Sequence, residues 1–152
     1  MIRPLITHPN DVLRGKNEDI IDVSDSKLKT LVQDMRETMI HANGVGIAAT
    51  QVGIALRVAI VAAPETKERV IINPRILRRS WKRWSLEEGC LSVPGSYGDV
   101  RRPWRIRVRY QDLSGKEHIE TAEGMLARVF QHEIDHLDGM LFIDRAKHVH
   151  SD

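Results

Sequence analysis

The sequence predicts an α+β fold: mostly antiparallel β-sheets around a central helix carrying a His-Glu-x-x-His motif, with one N-terminal helix and a short C-terminal tail. One observation is "WRIRVRYQD" at residues 104–112, where large apolar residues alternate with arginines as in a half-buried strand. A second is the turn "DLSG", which leads into "KEHIETA" and indicates a hairpin. A third is the helical spacing of apolar residues over 27–42 and again over 123–137.

The remaining elements follow from local patterns. Residues 24–26, "SDS", supply candidate caps for the first helix, and Gly44 ends it. Its apolar face is Leu28, Leu31, Val32, Met35 and Met39. Two buried strands are predicted at 55–63, "ALRVAIVAA", and at 69–74, "RVIINP", where Pro74 is expected to end the strand. Residues 95–103, "GSYGDVRRP", are interpreted as a loop, and Gly139 as the C-cap of the last helix.

Composition indicates one ordinary globular domain spanning residues 1–152. The net charge of +2 is well short of that of a dedicated nucleic-acid binder, so DNA is not expected as a partner. A single cysteine excludes an internal disulfide and fits a reducing compartment. The N-terminus has no secretory pattern, and no apolar run reaches membrane-spanning length. We therefore expect a cytoplasmic protein without a membrane partner; an organellar protein that has lost its transit peptide fits equally well.

The last predicted helix places two histidines one turn apart. At roughly 100° per residue, His132 and His136 share a stripe with Met125 and Val129 beside them, and Glu133 lies between this stripe and an apolar sector. Side chains at i and i+4 can reach one metal ion, and the neighbouring glutamate can take a proton from metal-bound water. So short a motif has about even odds of being coincidence, but both histidines face the buried side and need partners. The opposite side is predicted to be polar, with Arg128, Gln131, Asp135 and Asp138.

No third metal ligand follows the motif at the spacings that metalloproteases use. Phe142 occupies the position where metzincins have a third histidine. Glutamate-type zincins need a later acidic ligand on a second helix. After Gly139 the only acidic residues are Asp144 and Asp152, and there is no room for that helix. His148 and His150 lie in a polar tail that is expected to be frayed. The third ligand is therefore expected upstream.

Cys90, in "EEGCLSVPG" at residues 87–95, is the outstanding upstream candidate. A thiolate and two imidazoles would leave a fourth position open for water, which is typical of catalytic sites. The alternative is that Cys90 is a small buried apolar residue. Gly89 favours the first interpretation, because it permits close approach of the backbone to a ligand.

The segment "GVGIAATQVG" at residues 44–53 is open to three interpretations. The first is a phosphate-binding loop, but the segment lacks the preceding strand and the third glycine that a dinucleotide fingerprint requires. In the second interpretation, the segment is an ordinary connection between a helix and a strand. In the third, the amide of Gln51 is directed at the metal site and donates to a developing oxyanion.

Taken together, "GVGIAATQ", "EGCLS" and "QHEIDHLDG" closely resemble the peptide deformylase family in order and separation. The resemblance extends from "LITHPNDVLR" to "GMLFIDR" and covers nearly the whole chain. It implies a metal-dependent hydrolase that removes the formyl group from the N-terminal formylmethionine of newly synthesised polypeptides and releases formate. Two rivals stay open: a metallopeptidase, and a non-catalytic metal-binding or RNA-binding module on the same scaffold.

The resemblance also implies residue roles. Cys90, His132 and His136 would hold one divalent metal ion, natively Fe²⁺, with Zn²⁺, Ni²⁺ or Co²⁺ able to take its place. Glu133 would be the general base and then the general acid, and Gln51 and the backbone N–H of Leu91 would stabilise the oxyanion. The substrate backbone would pair with Val45, Gly46 and Gly89. The substrate's methionine side chain would be surrounded by Leu86, Glu88, Met125, Val129 and the ring edge of His132.

Basic residues cluster in the middle of the chain, which raises the hypothesis of a transient contact with ribosomal RNA. A solvated strand face is the more common explanation of such a pattern, by roughly two to one. Trp81, Trp84 and Trp104 are expected to pack or to lie on the surface rather than to form a ligand cage. The cluster comprises Arg78, Arg79, Lys82, Arg83, Arg101, Arg102, Arg105, Arg107 and Arg109.

Overall fold

The computed structural model describes residues 1–151 and confirms an α+β fold with two α-helices and antiparallel sheets. The helices are α1, Ser26–His41, and α2, Gly124–Leu137. The strands are β1 Gly46–Ala48, β2 Val58–Val61, β3 Arg69–Arg79, β4 Arg83–Cys90, β5 Val93–Pro103, β6 Arg105–Gln111, β7 Glu117–Glu123 and β8 Lys147–Ser151. Short 3₁₀ turns occur at Asp11–Arg14, Ala49–Val52 and Phe142–Asp144.

The strands form two sheets. The five-stranded sheet has the order β1-β2-β3-β6-β7, and the three-stranded sheet has the order β4-β5-β8. All of these pairings are antiparallel. The chain passes from the first sheet to the second between β3 and β4 and returns at Trp104, between β5 and β6. The predicted β6–β7 hairpin is confirmed, with Arg105 opposite Glu123 and Gln111 opposite Glu117.

Two strand predictions were wrong. Pro74 does not end β3, because it lies in a β-bulge in which Asn73 adopts φ 51°. The Asn73 side chain forms hydrogen bonds of 2.7 and 2.8 Å with the backbone of Ile20. The predicted loop at residues 95–103 belongs to β5, which pairs with β4 from Tyr97 to Pro103. Its inward positions include Gly98 and Arg102 beside Val100, so the apolar alternation that marks a strand is missing from the sequence.

The side of α2 that was predicted to be polar is mostly buried. Arg128, Gln131 and Asp135 are each less than a tenth exposed, and only Asp138 lies in solvent. Their polar groups are hydrogen-bonded inside the molecule, so their polarity does not mark a solvent face. Spacing along a helix defines its faces, but it does not say whether a polar face meets water or a buried polar network.

The prediction of a frayed tail was also wrong. Residues 147–151 form β8, with His150 opposite Tyr97 and Ser151 opposite Ser96 on β5. All five side chains are exposed, so pairing of the backbone rather than apolar burial defines this edge strand. Its sequence has no apolar alternation, which is why composition favoured disorder.

Three apolar clusters hold the elements in place. The first packs α2 against the five-stranded sheet and includes Phe130, Ile134 and Leu137. The second lies beneath α1, around Met35 and Ile60. The third joins the β4–β5 hairpin to the segment after α2. Across residues 1–151, neither helix is long and apolar enough to cross a membrane.

Candidate metal centre and active site

Three elements bring the candidate metal ligands and their neighbours together. Cys90 is the last residue of β4, and His132 and His136 lie one turn apart on α2. Gln51 lies in the 3₁₀ turn Ala49–Val52, which follows β1 directly. Packing of α2 against β1, β2 and the same turn brings the carboxylate of Glu133 to Gly46.

The sulfur and the two imidazoles converge on one point. Ligand atoms of Cys90, His132 and His136 all lie within 4.8 Å of one another, and Cys90 Sγ is 3.2 Å from His136 Nε2. Burial, aided by the positive charge of neighbouring His132, holds the pKa of His136 well below its usual range. A neutral imidazole beside a thiol is a donor set that suits a divalent transition metal. The residues present therefore fit such an ion.

Glu133 is buried beside these ligands without being one of them. Its side chain is 2% exposed, and its Oε2 has no hydrogen-bond partner within residues 1–151. Burial raises the pKa of its carboxyl group to about 7. A Cβ at Gly46 would lie 2.7 Å from the same oxygen, so only glycine there leaves room for the carboxylate. The buried, unpaired oxygen is free to handle a proton in the cavity.

Hydrogen bonds at both ends fix the amide of Gln51. Its Oε1 accepts from the backbone N–H of Ala48 at 2.9 Å, and its Nε2 donates to the hydroxyl of Ser92 at 3.1 Å. The same nitrogen lies 3.7 Å from Cys90 Sγ. The donor is thereby directed toward the ligand cluster with little freedom to turn, as an oxyanion donor must be.

Glu88 occupies a buried charge network behind the metal ligands. Its Oε1 accepts from His132 Nδ1 at 2.9 Å and from Arg102 at 3.0 Å, and its Oε2 accepts from Arg102 at 2.7 Å and from Arg128. Burial alone would raise the pKa of this carboxyl, but these partners hold it well below its usual range. The carboxylate therefore orients the His132 ring and leaves its Nε2 for a metal. Glu88 also lines the cavity, as do its partners Arg128 and His132.

One cavity of about 510 Å³ gathers the predicted substrate residues. Val45 and Met125, which line it, are 46% and 42% exposed, so apolar surface is accessible to a ligand there. His136 is fully buried and lies behind the cavity wall. The predicted residues that line the cavity are Val45, Gly46, Gln51, Leu86, Glu88, Gly89, Cys90, Leu91, Met125, Val129, His132 and Glu133.

The cavity also lies between two strand edges. Among residues 1–151, β1 pairs only with β2, and β4 pairs only with β5. Gly46 from β1 and Gly89 from β4 both line the cavity. Each of these strands has one unpaired edge, so the cleft is bordered by backbone groups from both sheets.

Sequence reasoning missed several residues of this site. Ser92, which holds Gln51, is one. Arg102 and Arg128, which hold Glu88, are the others. Arg102 had been grouped with the surface cations, but it is 3% exposed and inside the molecule. Recognition of β5 as a strand would have revealed this, because Val100 and Arg102 then fall on one face.

Comparison with known proteins identifies the family. A family model described as polypeptide deformylase matches residues 2–152. The chain belongs to the polypeptide deformylase family. A peptide deformylase from Bartonella tribocorum is 45% identical over an alignment that covers 99% of this chain and 88% of that protein. Peptide deformylase 1 from Bacillus cereus is 48% identical, with 93% and 90% covered.

Solved deformylase structures have the same architecture. A peptide deformylase from Acinetobacter baumannii with Met-Ala-Ser bound superposes with a TM-score of 0.93, at 38% identity, covering 95% of this chain and 98% of that one. One from Synechococcus elongatus in complex with actinonin gives a TM-score of 0.91 at 39% identity, with 95% and 79% covered. Deformylases are metal-dependent hydrolases that remove the formyl group from N-terminal methionine, so the predicted activity is confirmed at the level of the family.

Proposed function

We propose that residues 1–152 act as one catalytic domain that hydrolyses N-formylmethionyl peptides at the site formed by Cys90, His132 and His136. One observation carries the proposal: three ligand atoms within 4.8 Å of one another lie beside the buried, unpartnered Glu133 carboxylate in a single cavity. We expect Fe²⁺ as the native ion, with Zn²⁺, Ni²⁺ or Co²⁺ as substitutes. When bound, the ion polarises water and lowers its pKa.

In this proposal Glu133 moves the protons. It accepts a proton from the attacking water, and it then returns a proton to the amine nitrogen as the bond to the formyl carbon breaks. The products are formate and a free N-terminus. A carboxyl pKa of about 7 suits both steps near neutral pH.

Gln51 and the backbone N–H of Leu91 would stabilise the charge that develops on the formyl oxygen. Gln51 is pre-oriented by Ala48 and Ser92, so its Nε2 needs no reorganisation during the reaction. Each donor of this kind contributes roughly 3–4 kcal/mol to transition-state stabilisation in comparable enzymes. Both residues line the cavity.

An extended substrate would add a strand to the unpaired edges of β1 and β4. Val45, Gly46 and Gly89 would pair with the substrate backbone, which supplies affinity without selecting side chains. The methionine side chain would enter the apolar part of the cavity. There it would contact Leu86, Met125 and Val129, while Glu88 supports the His132 wall from behind.

The natural substrates would be nascent polypeptides, met in the cytoplasm or in an organelle that also starts synthesis with formylmethionine. A transient contact with the ribosome would bring the enzyme to them as they emerge. The basic residues of the middle strands are the candidates for that contact.

The test is formate release from formyl-Met-Ala-Ser by anaerobically prepared protein, with its metal content measured. Glu133→Gln should retain the metal and lose turnover by 10²-fold or more. Glu117→Gln, an exposed residue of β7, serves as the matched control and should behave as the wild type. Absence of turnover with metal bound would favour the non-catalytic module. Cleavage of unformylated Met-Ala-Ser would favour the metallopeptidase.

A further inference from the structure

The turn between β3 and β4 carries several cations around a fully exposed tryptophan. The segment reads "RRSWKR" at residues 78–83, and Trp81 is 100% exposed. Within residues 1–151, none of the cations of this surface forms an ion pair. We name Arg78, Trp81, Lys82, Arg83 and neighbouring Arg107 of β6 the basic hairpin surface; all five are exposed.

Hydrogen bonds hold the turn rigidly. The Ser80 hydroxyl donates to the Lys82 carbonyl at 2.8 Å and accepts from the Arg105 N–H at 3.0 Å. The Trp104 N–H donates to the same Lys82 carbonyl at 2.9 Å. The backbone on both sides of Trp81 is therefore fixed where the two sheets meet. An aromatic ring displayed on a fixed backbone loses little conformational entropy when it binds a partner.

The register of the five-stranded sheet places like charges directly opposite each other. Arg78 of β3 faces Arg107 of β6, an arrangement that destabilises a sheet. The other arginine pair, Arg75 and Arg109, is compensated by one carboxylate for each arginine. Arg78 and Arg107 lack such a carboxylate within residues 1–151. A bound polyanion would remove this repulsion.

We propose that the basic hairpin surface binds a single-stranded polynucleotide, with phosphates on the cations and a base stacked on Trp81. Grooves that bind single strands combine these two features, and stacking does not depend on sequence because every base has a π-face. The surface is a part of the basic cluster identified in the sequence and leaves out Arg105, which is paired with Glu123 at 2.8 Å. An anionic membrane fits less well, because Trp81 is the one large apolar side chain in the set.

Fluorescence anisotropy with labelled oligouridylate and oligothymidylate tests this surface in the full chain, and the two probes distinguish an RNA partner from a DNA partner. Trp81→Ala should weaken binding by about 5- to 160-fold, the range for loss of one stacked base. Arg78→Glu with Arg107→Glu should weaken it further and make the salt dependence shallower by about 1.4 in log–log slope. Lys27→Glu with Lys29→Glu, two exposed positions on α1, makes the same change in net charge and should leave binding unchanged.

Turnover of formyl-Met-Ala-Ser should be the same in all these variants, because no residue of the surface lines the active-site cavity. Wild-type affinity in Trp81→Ala would overturn the proposal. So would an equal loss in the α1 control, which would mean that net charge alone drives binding. Binding to phosphatidylserine vesicles without binding to either oligonucleotide would overturn it in favour of a membrane surface.

Discussion

Replacement of Glu88 by glutamine should reveal how strongly the buried charge network supports the metal centre. The side chains of Glu88, Arg102 and Arg128 are 6%, 3% and 3% exposed, so none can be solvated in place of its partner. Loss of one member of such a network costs about 3–5 kcal/mol. Arg102 keeps Asp135 at 2.9 Å, and Arg128 keeps two backbone carbonyls, so we expect the lower value, about 3 kcal/mol.

For a chain of this length, that loss lowers Tm by about 6–12 °C. Metal affinity should fall by about 10- to 100-fold, because the neutral glutamine has one acceptor oxygen where Glu88 uses two charged oxygens for His132 and two arginines, which weakens the hydrogen bond that orients the His132 ring. Thermal unfolding of metal-free protein isolates the stability effect, and chelator competition measures the affinity. Glu87→Gln is the matched control: it lies next in the strand, is 55% exposed, and should change stability by about 0.5 kcal/mol at most. Unchanged Tm and metal affinity in Glu88→Gln would refute the reasoning.

Three further variants test the cavity and the fold. Gly46→Ala places a methyl group 2.7 Å from a Glu133 oxygen, so kcat should fall by about 10²-fold or more while the metal content is unchanged. Gly15→Ala is the control: its Cβ would meet nothing closer than 3.6 Å, and kcat should be unchanged. Gln51→Glu keeps the acceptor but removes the donor, and kcat should fall by about 10²–10³-fold with little change in KM in steady-state kinetics. Burial raises the pKa of Glu120, but hydrogen bonds from an arginine and a tyrosine outweigh it and the pKa is lowered. That stabilisation is complete above the unfolded pKa and is lost as pH falls through the lower folded pKa. Glu120→Gln should therefore be less stable than the wild type at pH 7, and the difference in urea unfolding should shrink as pH falls below the unfolded pKa of about 4.3.

The parts of the site that the sequence predicted well are those encoded by local spacing. His132, Glu133 and His136 are fixed relative to one another by the helix alone, and helical spacing therefore put Met125 and Val129 beside them correctly. The resemblance to a known family added what spacing cannot give, the approach of Gln51 from a distant part of the chain.

The parts that sequence reasoning missed depend on contacts distant along the chain. Arg102 and Arg128 are typical surface residues by type, and only their meeting with Glu88 makes burial of their charges favourable. β8 forms because β5 offers an edge, which no local pattern in residues 147–151 indicates. Charged residues inside a protein are the hardest to predict because their partners determine where they lie.

The two strand edges that border the cavity also bear on self-association through strand pairing. An unpaired edge is a template for intermolecular pairing, and exposed edges promote aggregation. Because β1 and β4 border the same cleft, a narrow extended segment can reach them more easily than the edge of a second folded molecule. The outer edges, β7 and β8, carry charged and polar side chains such as Glu117, Glu123 and Lys147, which oppose edge-to-edge association. The position of the substrate cleft thus allows the backbone to be available for binding and at the same time protected from self-assembly.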